Sequence, residues 1–225
     1  LGWSDGNSFV PVNHCLLSAA DDKNLLCEAE CYDGRSLAGK RRSQSRRKAT
    51  DVMVELIHSA RKAGITAKYV VFDCWFSSPK TIQSLKKEED MDVIAMVKKS
   101  SKIKYGYQGE NLNIKEIYSH NKKRRGRSRY LLSVDITVGE DQIPAKIVCV
   151  RNKSKRKDWL ALISTDINLS EEEIIRVYGK RWDIEVFFKS CKSYLHLVKE
   201  CRSTSYDALN AHVAIVFTRY MMLSV

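Results

Sequence analysis

The sequence lacks the features that would indicate a membrane span, secretion or a disulfide-stapled scaffold. No apolar run reaches 18 residues without a charge or strong polarity, and no signal peptide opens the chain. The seven cysteines are odd in number and irregularly spaced, which argues against a disulfide framework and favours reduced thiols in a cytosol. Cys27 and Cys31 form a lone Cys-x3-Cys with no second pair and no nearby histidine, so we expect no zinc site there.

Acidic residues are scarce relative to basic ones. The 225 residues contain 39 Lys and Arg but only 27 Asp and Glu, which gives a formal net charge of +12. Basic residues cluster in two segments, 40–48 and 121–129. This clustering predicts a polyanionic partner, of which nucleic acid is the commonest, while a solvated basic surface is the plainer alternative.

Apolar patterns in the first hundred residues predict alternating strands and helices. The predicted order is a strand at 8–18, a polar connection at 21–50, a helix at 49–63, a strand at 67–76, a helix at 78–88 and a strand at 92–99. A helix between two apolar strands indicates a βαβ unit with a parallel pair. The chain opens without methionine in a hairpin pattern, with Ser4-Asp5-Gly6-Asn7 as its turn, so we expect an N-terminally truncated fragment.

The pattern changes between residues 100 and 165, where alternating strands dominate. Two of them flank Gly139-Glu140-Asp141 as a predicted hairpin, and the segment 121–129 reads as a basic loop. We interpret this region as a small β-rich insertion. Helix returns at Ser170, where Glu173 stands at the capping-box position, and a last helix is expected at 204–223.

A polar stripe crosses the segment "YGKRWDIEVFFKSCK", which we expect to form one mostly buried helix. At about 100° per residue, Tyr178, Arg181, Glu185 and Lys192 fall within an arc of roughly 60°. One interpretation is a plain Arg181–Glu185 ion pair on a surface, contributing a few tenths of a kcal/mol. The other is functional, because a buried carboxylate needs a strong partner such as a metal ion or a phosphate with its counter-charges.

Asp73 is the second candidate carboxylate. It ends the apolar run in "VVFDCWF", and aspartate is disfavoured in strands. Ligands of open α/β sheets bind beyond the carboxyl ends of the strands, which is where this side chain is expected. The alternative is a turn or helix-capping aspartate, although Ser77 and Ser78 are better placed to cap the following helix.

These residues resemble a known family. Tyr-x2-Arg-x3-Glu-x6-Lys, here Tyr178, Arg181, Glu185 and Lys192, is similar to the YREK signature of bacterial insertion-sequence transposases, a group of DDE enzymes related to the transposase of the Tn-five transposon. The segment "FDCWF" resembles the strand that carries the second aspartate in that family. "GWSDGNSFVPV" resembles the preceding hairpin, so the resemblance covers nearly the whole chain.

The resemblance implies an α/β fold with an RNase H-like catalytic core and a β-rich insertion. The core would occupy residues 1–99 and 166–225, and the insertion 100–165. Asp73 and Glu185 would be two of three carboxylates that hold two Mg²⁺ or Mn²⁺ ions for in-line phosphoryl transfer. Tyr178, Arg181 and Lys192 would contact DNA phosphates close to the cut. From the basic loop we add Arg124, Arg125 and Arg127 as DNA-binding residues.

One departure from the family pattern affects the expected activity. The first aspartate of the family lies upstream of the hairpin, and no residue here matches it, so we expect the fragment to be inactive or nearly so alone. The expected partners are double-stranded DNA, as transposon ends and target, and a second copy in a homodimeric synaptic complex, in the bacterial cytoplasm at the nucleoid. Two alternatives remain: another RNase H-like nuclease, such as a resolvase or repair enzyme, and a non-enzymatic DNA-binding protein.

Overall fold

The described residues form two compact units. The computed structural model describes residues 1–25, 27, 32–126, 128–152, 154–155 and 158–224, so Cys31 and Arg127 lie outside the described residues. The first unit combines Leu1–Ile65 with Trp182–Val225, and the second unit is Thr66–Arg181. Each unit is described by itself below.

The helices and strands follow one another along the chain in a mixed order. They are β1 (Gly2–Ser4), β2 (Phe9–Pro11), α1 (Leu37–Ser45), α2 (Ala49–Lys62), β3 (Tyr69–Phe72), α3 (Pro79–Glu88), β4 (Asp92–Met96), β5 (Lys104–Tyr107), β6 (Glu110–Asn113), α4 (Ile114–His120), β7 (Leu132–Val138), β8 (Ile143–Arg151), β9 (Trp159–Ser164), α5 (Glu171–Gly179), α6 (Trp182–Tyr194) and α7 (Tyr206–Leu223). Among the described helices, none has both the length and the apolar character that crossing a membrane requires.

The second unit is built on a seven-stranded mixed sheet with the strand order β3-β4-β9-β8-β7-β5-β6. β3 and β4 pair in parallel, with Phe72 opposite Ala95, and α3 connects them. The predicted βαβ unit is therefore confirmed. The mixed sheet with its helices confirms the α/β class and is consistent with an RNase H-like core.

The α3 helix begins where its sequence predicts. The Ser78 hydroxyl accepts the backbone N–H of Thr81, and Pro79 occupies the first turn, where its missing N–H costs no intrahelical bond. Ile82 and Leu85 are fully buried and anchor the helix. In β4, Val93, Ile94 and Ala95 are all fully buried although neighbouring side chains point to opposite faces, so both faces of the sheet are covered there.

The predicted β-rich region joins the same sheet. β7 and β8 form the expected hairpin, with Val138 opposite Ile143. Gly139 in its turn has a φ of 71°, and a Cβ there would lie 2.7 Å from the Gln83 side-chain oxygen, so glycine suits this position. The division of the chain into residues 1–99, 100–165 and 166–225 stays a prediction, because contacts within a sheet do not reveal which strands are inserted.

The first unit has an aromatic core. The β1–β2 hairpin forms as predicted, with Trp3 opposite Val10. Phe187 of α6 is 2% exposed, and its ring centre lies 5.3 Å from that of Phe9, 4.9 Å from that of Phe217 and 4.7 Å from that of Tyr220. These tilted and edge-to-face contacts tie the hairpin to α6 and α7.

Two expectations for the connections were wrong in part. The strand expected at 8–18 ends at Pro11; beyond it, the N–H groups of Val12 and Asn13 share the carbonyl of Leu1. The polar connection expected at 21–50 contains α1, whose first turn is capped by the Ser36 hydroxyl. Its sequence shows no apolar pattern, because the buried residues of this helix are Gly39 and Ser45 and it also pairs Arg42 with Asp207 at 3.0 Å.

A further short helix, α4, was not expected in the β-rich region. Asn113 and Glu116 form a complete capping box at its start. Ile114 and Ile117 are fully buried, which holds this helix of about two turns in place. The expected helices at 49–63, 78–88 and 204–223 are confirmed as α2, α3 and α7.

Candidate functional site

Asp73 follows β3 at the carboxyl end of the parallel pair. Its Oδ1 accepts the backbone N–H of Trp75 at 2.9 Å, which makes it a turn aspartate. Ser78, as expected, is the residue that caps α3. Within the part of the chain that the structure describes, Asp73 Oδ2 has no hydrogen-bond partner. One carboxylate oxygen therefore shapes the loop and the other is left for a ligand.

An exposed aromatic ring and a cation stand at the same edge of the sheet. Trp75 is 81% exposed, two residues after Asp73. Lys98 follows β4, the strand parallel to β3, and its Nζ lies 5.7 Å from the centre of the Trp75 ring. That separation is within cation–π range. The carboxyl end of the parallel pair thus presents a carboxylate, an indole and an ammonium group together.

Tyr178 and Arg181 complete this neighbourhood in the second unit. Tyr178 packs against the core cluster that α5 forms with the sheet, and the guanidinium carbon of Arg181 lies 5.9 Å from its ring centre. Burial raises the pKa of Tyr178, Arg181 opposes the rise, and the negative charge of Asp73 adds to it. The phenol stays protonated at neutral pH and can donate a hydrogen bond to an anionic oxygen.

The expectation that Tyr178, Arg181, Glu185 and Lys192 lie on one helix was wrong. α5 ends at Gly179, and α6 begins at Trp182. The N–H groups of Lys180 and Arg181 bond to carbonyls three residues earlier, both at 3.0 Å, so the chain tightens between the helices. Glycine's low helix propensity explains why the helix stops there.

The α6 helix is also more exposed than its sequence suggested. Trp182 is 58% exposed and Val186 is 50% exposed, whereas Phe187 and Cys191 are buried. One face of α6 is therefore buried, and the expectation of a mostly buried helix was wrong. Apolar residues surround the whole helix in the sequence pattern. The pattern therefore did not show which face packs against the core and which face is exposed.

Glu185 and Lys192 lie on α6 of the first unit. Glu185 is half-buried and stands in the first turn, where the helix dipole favours a carboxylate, and Lys192 is exposed in the last turn. Asp183 is in the first turn too and accepts a hydrogen bond from the Ser4 hydroxyl at 3.4 Å. The N-terminal turn of α6 is thus an acidic end and its C-terminal turn a basic one.

The basic loop between α4 and β7 is partly held in place by aromatic rings. The guanidinium carbon of Arg124 lies 4.3 Å from the Tyr130 ring centre, and its backbone N–H donates to the carbonyl of Leu131 at 2.7 Å. Arg125 is exposed, and Arg127 lies outside the described residues. Both described arginines are open to solvent and could contact phosphates.

Three of the six basic residues in the other cluster, 40–48, are paired with carboxylates. Arg42 pairs with Asp207, Arg46 pairs with Asp22 at 2.6 Å, and Arg47 pairs with Glu55. These partners lie far along the chain or in the next helix, so the linear sequence did not show them. The cluster therefore offers fewer charges to DNA than its composition suggests.

Carboxylates suited to a divalent ion are present, although they lie in different units. Asp73 belongs to the second unit and Glu185 to the first. The described part of the chain contains no group of three or more His, Cys, Asp or Glu side chains placed to hold a metal ion. The donor chemistry fits, because Mg²⁺ takes oxygen ligands and usually binds one or two carboxylates together with waters and substrate phosphates. Asp73 Oδ2 is such an oxygen.

Trp75 and Lys98 were not selected from the sequence. A signal existed for each: a tryptophan just after a strand-end aspartate, and a lysine just after the next apolar strand. Joining them required the parallel pairing of β3 and β4, which places the ends of both strands at one edge. That pairing was predicted from the sequence, but strand pairing alone does not show that the two side chains approach each other.

Comparison with known proteins gives one family. A model of the transposase DDE domain matches residues 31–222, which is most of the chain. A comparison with curated proteins finds no match.

Proposed function

The chain belongs to the transposase DDE domain family, and from this premise we propose that it cuts and joins transposon ends as an insertion-sequence transposase of the YREK group, related to the Tn-five transposase. A transposase acts on DNA, in transposition and recombination, and enzymes of this family generally use divalent metal ions. Family membership favours this function over the resolvase or repair nuclease and over the non-enzymatic DNA-binding protein.

The observation that carries the proposal is the loop after β3. It presents Asp73 Oδ2 at the carboxyl end of the parallel pair, with the protonated phenol of Tyr178 and the charge of Arg181 in the same neighbourhood. An oxygen ligand next to a donor and a cation suits a phosphodiester bound through a metal ion. A surface ion pair between Arg181 and Glu185 would not require a carboxylate oxygen, a phenol and a cation in one neighbourhood.

Asp73 and Glu185 are assigned as the metal-binding carboxylates. Bound divalent ions would activate the attacking water or 3′ hydroxyl and stabilise the leaving oxygen. Asp73 supplies Oδ2 while its Oδ1 keeps the loop in shape. Glu185 supplies a carboxylate from the first turn of α6.

The cations and the phenol are assigned to the DNA backbone. The charge of Asp73 acts on Tyr178, and Arg181 lies next to the Tyr178 ring, so these two side chains would hold a phosphate near the reacting one. Lys192 is exposed at the far end of α6, about 10 Å along the helix axis from Glu185, and would hold another. Arg124, Arg125 and Arg127 of the basic loop would add electrostatic affinity without sequence preference.

The remaining assignments concern activity and assembly. The resemblance supplies three carboxylates and this sequence matches two, so the 225-residue chain is proposed to be inactive or nearly so by itself. Two DNA ends must meet before they are joined, which motivates a homodimeric synaptic complex. The enzyme is proposed to act in the bacterial cytoplasm, at the nucleoid.

The proposal is tested by DNA affinity and thermal stability in three variants of the chain. Arg181→Ala and Lys192→Ala should weaken binding to a labelled duplex and each lower the slope of log K against log salt by about 0.9, because each removes a phosphate contact. Glu185→Gln should keep that affinity without metal but lose any Mg²⁺-dependent increase. Lys189→Ala is the matched control, since Lys189 is another exposed lysine of α6.

The plain ion-pair interpretation predicts a different pattern. Arg181→Ala and Glu185→Gln would then lower the melting temperature by similar amounts, with no change in DNA affinity per folded molecule. Lys192→Ala would behave like Lys189→Ala. That outcome would remove the DNA-contact and metal assignments together.

A further inference from the structure

Trp75 is far more exposed than is usual for tryptophan. Tryptophan is among the most buried side chains on average, yet this ring is 81% exposed. Its neighbours in the loop are better covered, since Ser77 is 2% exposed and Phe76 is half-buried. Core packing therefore does not account for the indole.

The backbone beneath the ring is fixed. Its N–H donates to Asp73 Oδ1 at 2.9 Å, and three residues further on the Ser78 hydroxyl caps α3. The loop is held at both ends while the side chain projects into solvent. A ring mounted this way loses little backbone freedom when a ligand stacks on it.

Lys98 gives the site its charge. Its Nζ lies 5.7 Å from the indole centre, and its side chain is exposed. An ammonium group near an aromatic face suits a ligand that has both a flat aromatic surface and a negative charge. A nucleotide has both, as its base and its phosphate.

We propose that Trp75 and Lys98 form a nucleobase-stacking site beside Asp73. This site holds an unstacked base next to the phosphate to be cut. This inference rests on the proposed function, because the phosphate is the one that would be bound through a metal ion at Asp73. Within a duplex, bases already stack on one another, so the ring would take a base at a frayed end, a nick or an overhang, where unstacking costs least. The site would position DNA by its structure rather than by its sequence, since every base has a π-face.

Photo-crosslinking tests the site directly. The probe is a duplex with a short single-stranded overhang that carries 5-iododeoxyuridine, which crosslinks to an aromatic ring in contact with it. In the wild-type chain the crosslink should map to Trp75 in the tryptic peptide Tyr69–Lys80. Trp75→Ala should abolish that crosslink and weaken binding of the overhang probe by about five- to a hundredfold, and Trp75→Phe should retain part of both.

Matched variants separate stacking from folding and from general charge. Tyr194→Ala removes a ring that is 79% exposed elsewhere and should change neither crosslink nor affinity. Lys98→Met should weaken binding of the overhang probe, whereas Lys102→Ala, at another exposed lysine nearby, should not. Trp75→Ala should melt within about 2 °C of wild type because the ring buries little surface.

The outcomes distinguish this inference from the function on which it rests. If the wild-type chain binds neither the overhang probe nor its blunt counterpart, the proposed function and the stacking site both fail. If the chain binds DNA but the crosslink maps elsewhere and Trp75→Ala leaves affinity unchanged, only the stacking site fails. A Trp75→Ala variant that keeps the crosslink and instead changes its sedimentation would show that the ring serves a contact between protein copies, which also overturns the site.

Discussion

Asp73 Oδ1 accepts the backbone N–H of Trp75 at 2.9 Å, so the carboxylate proposed to bind a metal ion also holds the loop after β3. This gives the first prediction. Asp73→Asn keeps an acceptor oxygen and should fold with nearly wild-type stability, whereas Asp73→Ala should lower the free energy of unfolding by about 1 kcal/mol. Urea denaturation of the two variants measures the difference. Equal stability would show that the turn does not depend on this hydrogen bond.

The aromatic core of the first unit gives a stability prediction. Phe187 is 2% exposed among the rings of Phe9, Phe217 and Tyr220. Phe187→Ala should cost about 3–5 kcal/mol because it removes a large buried ring and leaves a cavity. The adjacent Phe188 is 38% exposed, so Phe188→Ala is the control and should cost clearly less. Denaturant midpoints decide, and equal costs would contradict the assigned core.

The basic loop gives a prediction about salt. Replacing Arg124, Arg125 and Arg127 with glutamine should lower the slope of log K against log salt by about 3, if each holds one phosphate. The control is Arg47→Gln, because Arg47 already pairs with Glu55. Fluorescence anisotropy with a labelled duplex at several salt concentrations measures both slopes. An unchanged slope in the triple variant would show that the loop is only a solvated surface.

Asp158 gives a prediction about pH. A hydrogen bond from Lys99 at 2.5 Å, with further bonds from the Trp159 N–H and the Asn152 amide, lowers the pKa of Asp158 from its ordinary 3.8 to about 2. A carboxylate whose pKa is lowered by folding adds stability above its unfolded pKa and loses it as the pH falls through the folded pKa. The contribution should therefore fade between about pH 4 and pH 2.

The same carboxyl can be followed directly. NMR titration should show the Asp158 pKa near 2 in the wild type and closer to its ordinary value in Lys99→Met. Lys102→Met should leave it unchanged, since Lys102 is an exposed lysine of the same segment. A wild-type pKa near 4 would mean that the Lys99–Asp158 contact does not persist in solution.

Local signals predicted much of the fold. Ser78-Pro79 marked the start of α3, the Gly139 turn marked the β7–β8 hairpin, and the βαβ unit followed from a helix between two apolar strands. Each of these is decided by a few neighbouring residues. Other features involve distant contacts: Arg42 of α1 pairs with Asp207, which no local pattern reveals.

The candidate site was less predictable. Asp73 could be selected because a strand-end aspartate stands out in an apolar run, and Glu185 because of its signature. The break at Gly179 divided a stripe that looked continuous on a helical wheel, since a wheel assumes an unbroken helix. The parallel pairing of β3 and β4 places Trp75 and Lys98 at one edge of the sheet, and only the structure shows that their side chains lie close together.

The central claim is that Asp73 and Glu185 bind the catalytic divalent ions, and metal-directed cleavage of the chain tests it most directly. Fe²⁺ in place of Mg²⁺, with ascorbate and peroxide, cuts the backbone close to where the ion binds. Asp135→Asn and Glu88→Gln are the controls, because both carboxylates are exposed and neither is a candidate ligand. We expect cuts near residues 73 and 185 that excess Mg²⁺ suppresses, with the first lost in Asp73→Asn, the second lost in Glu185→Gln, and both kept in the controls. Cuts that persist in both Asp73→Asn and Glu185→Gln, or that never occur near these residues, would contradict the claim.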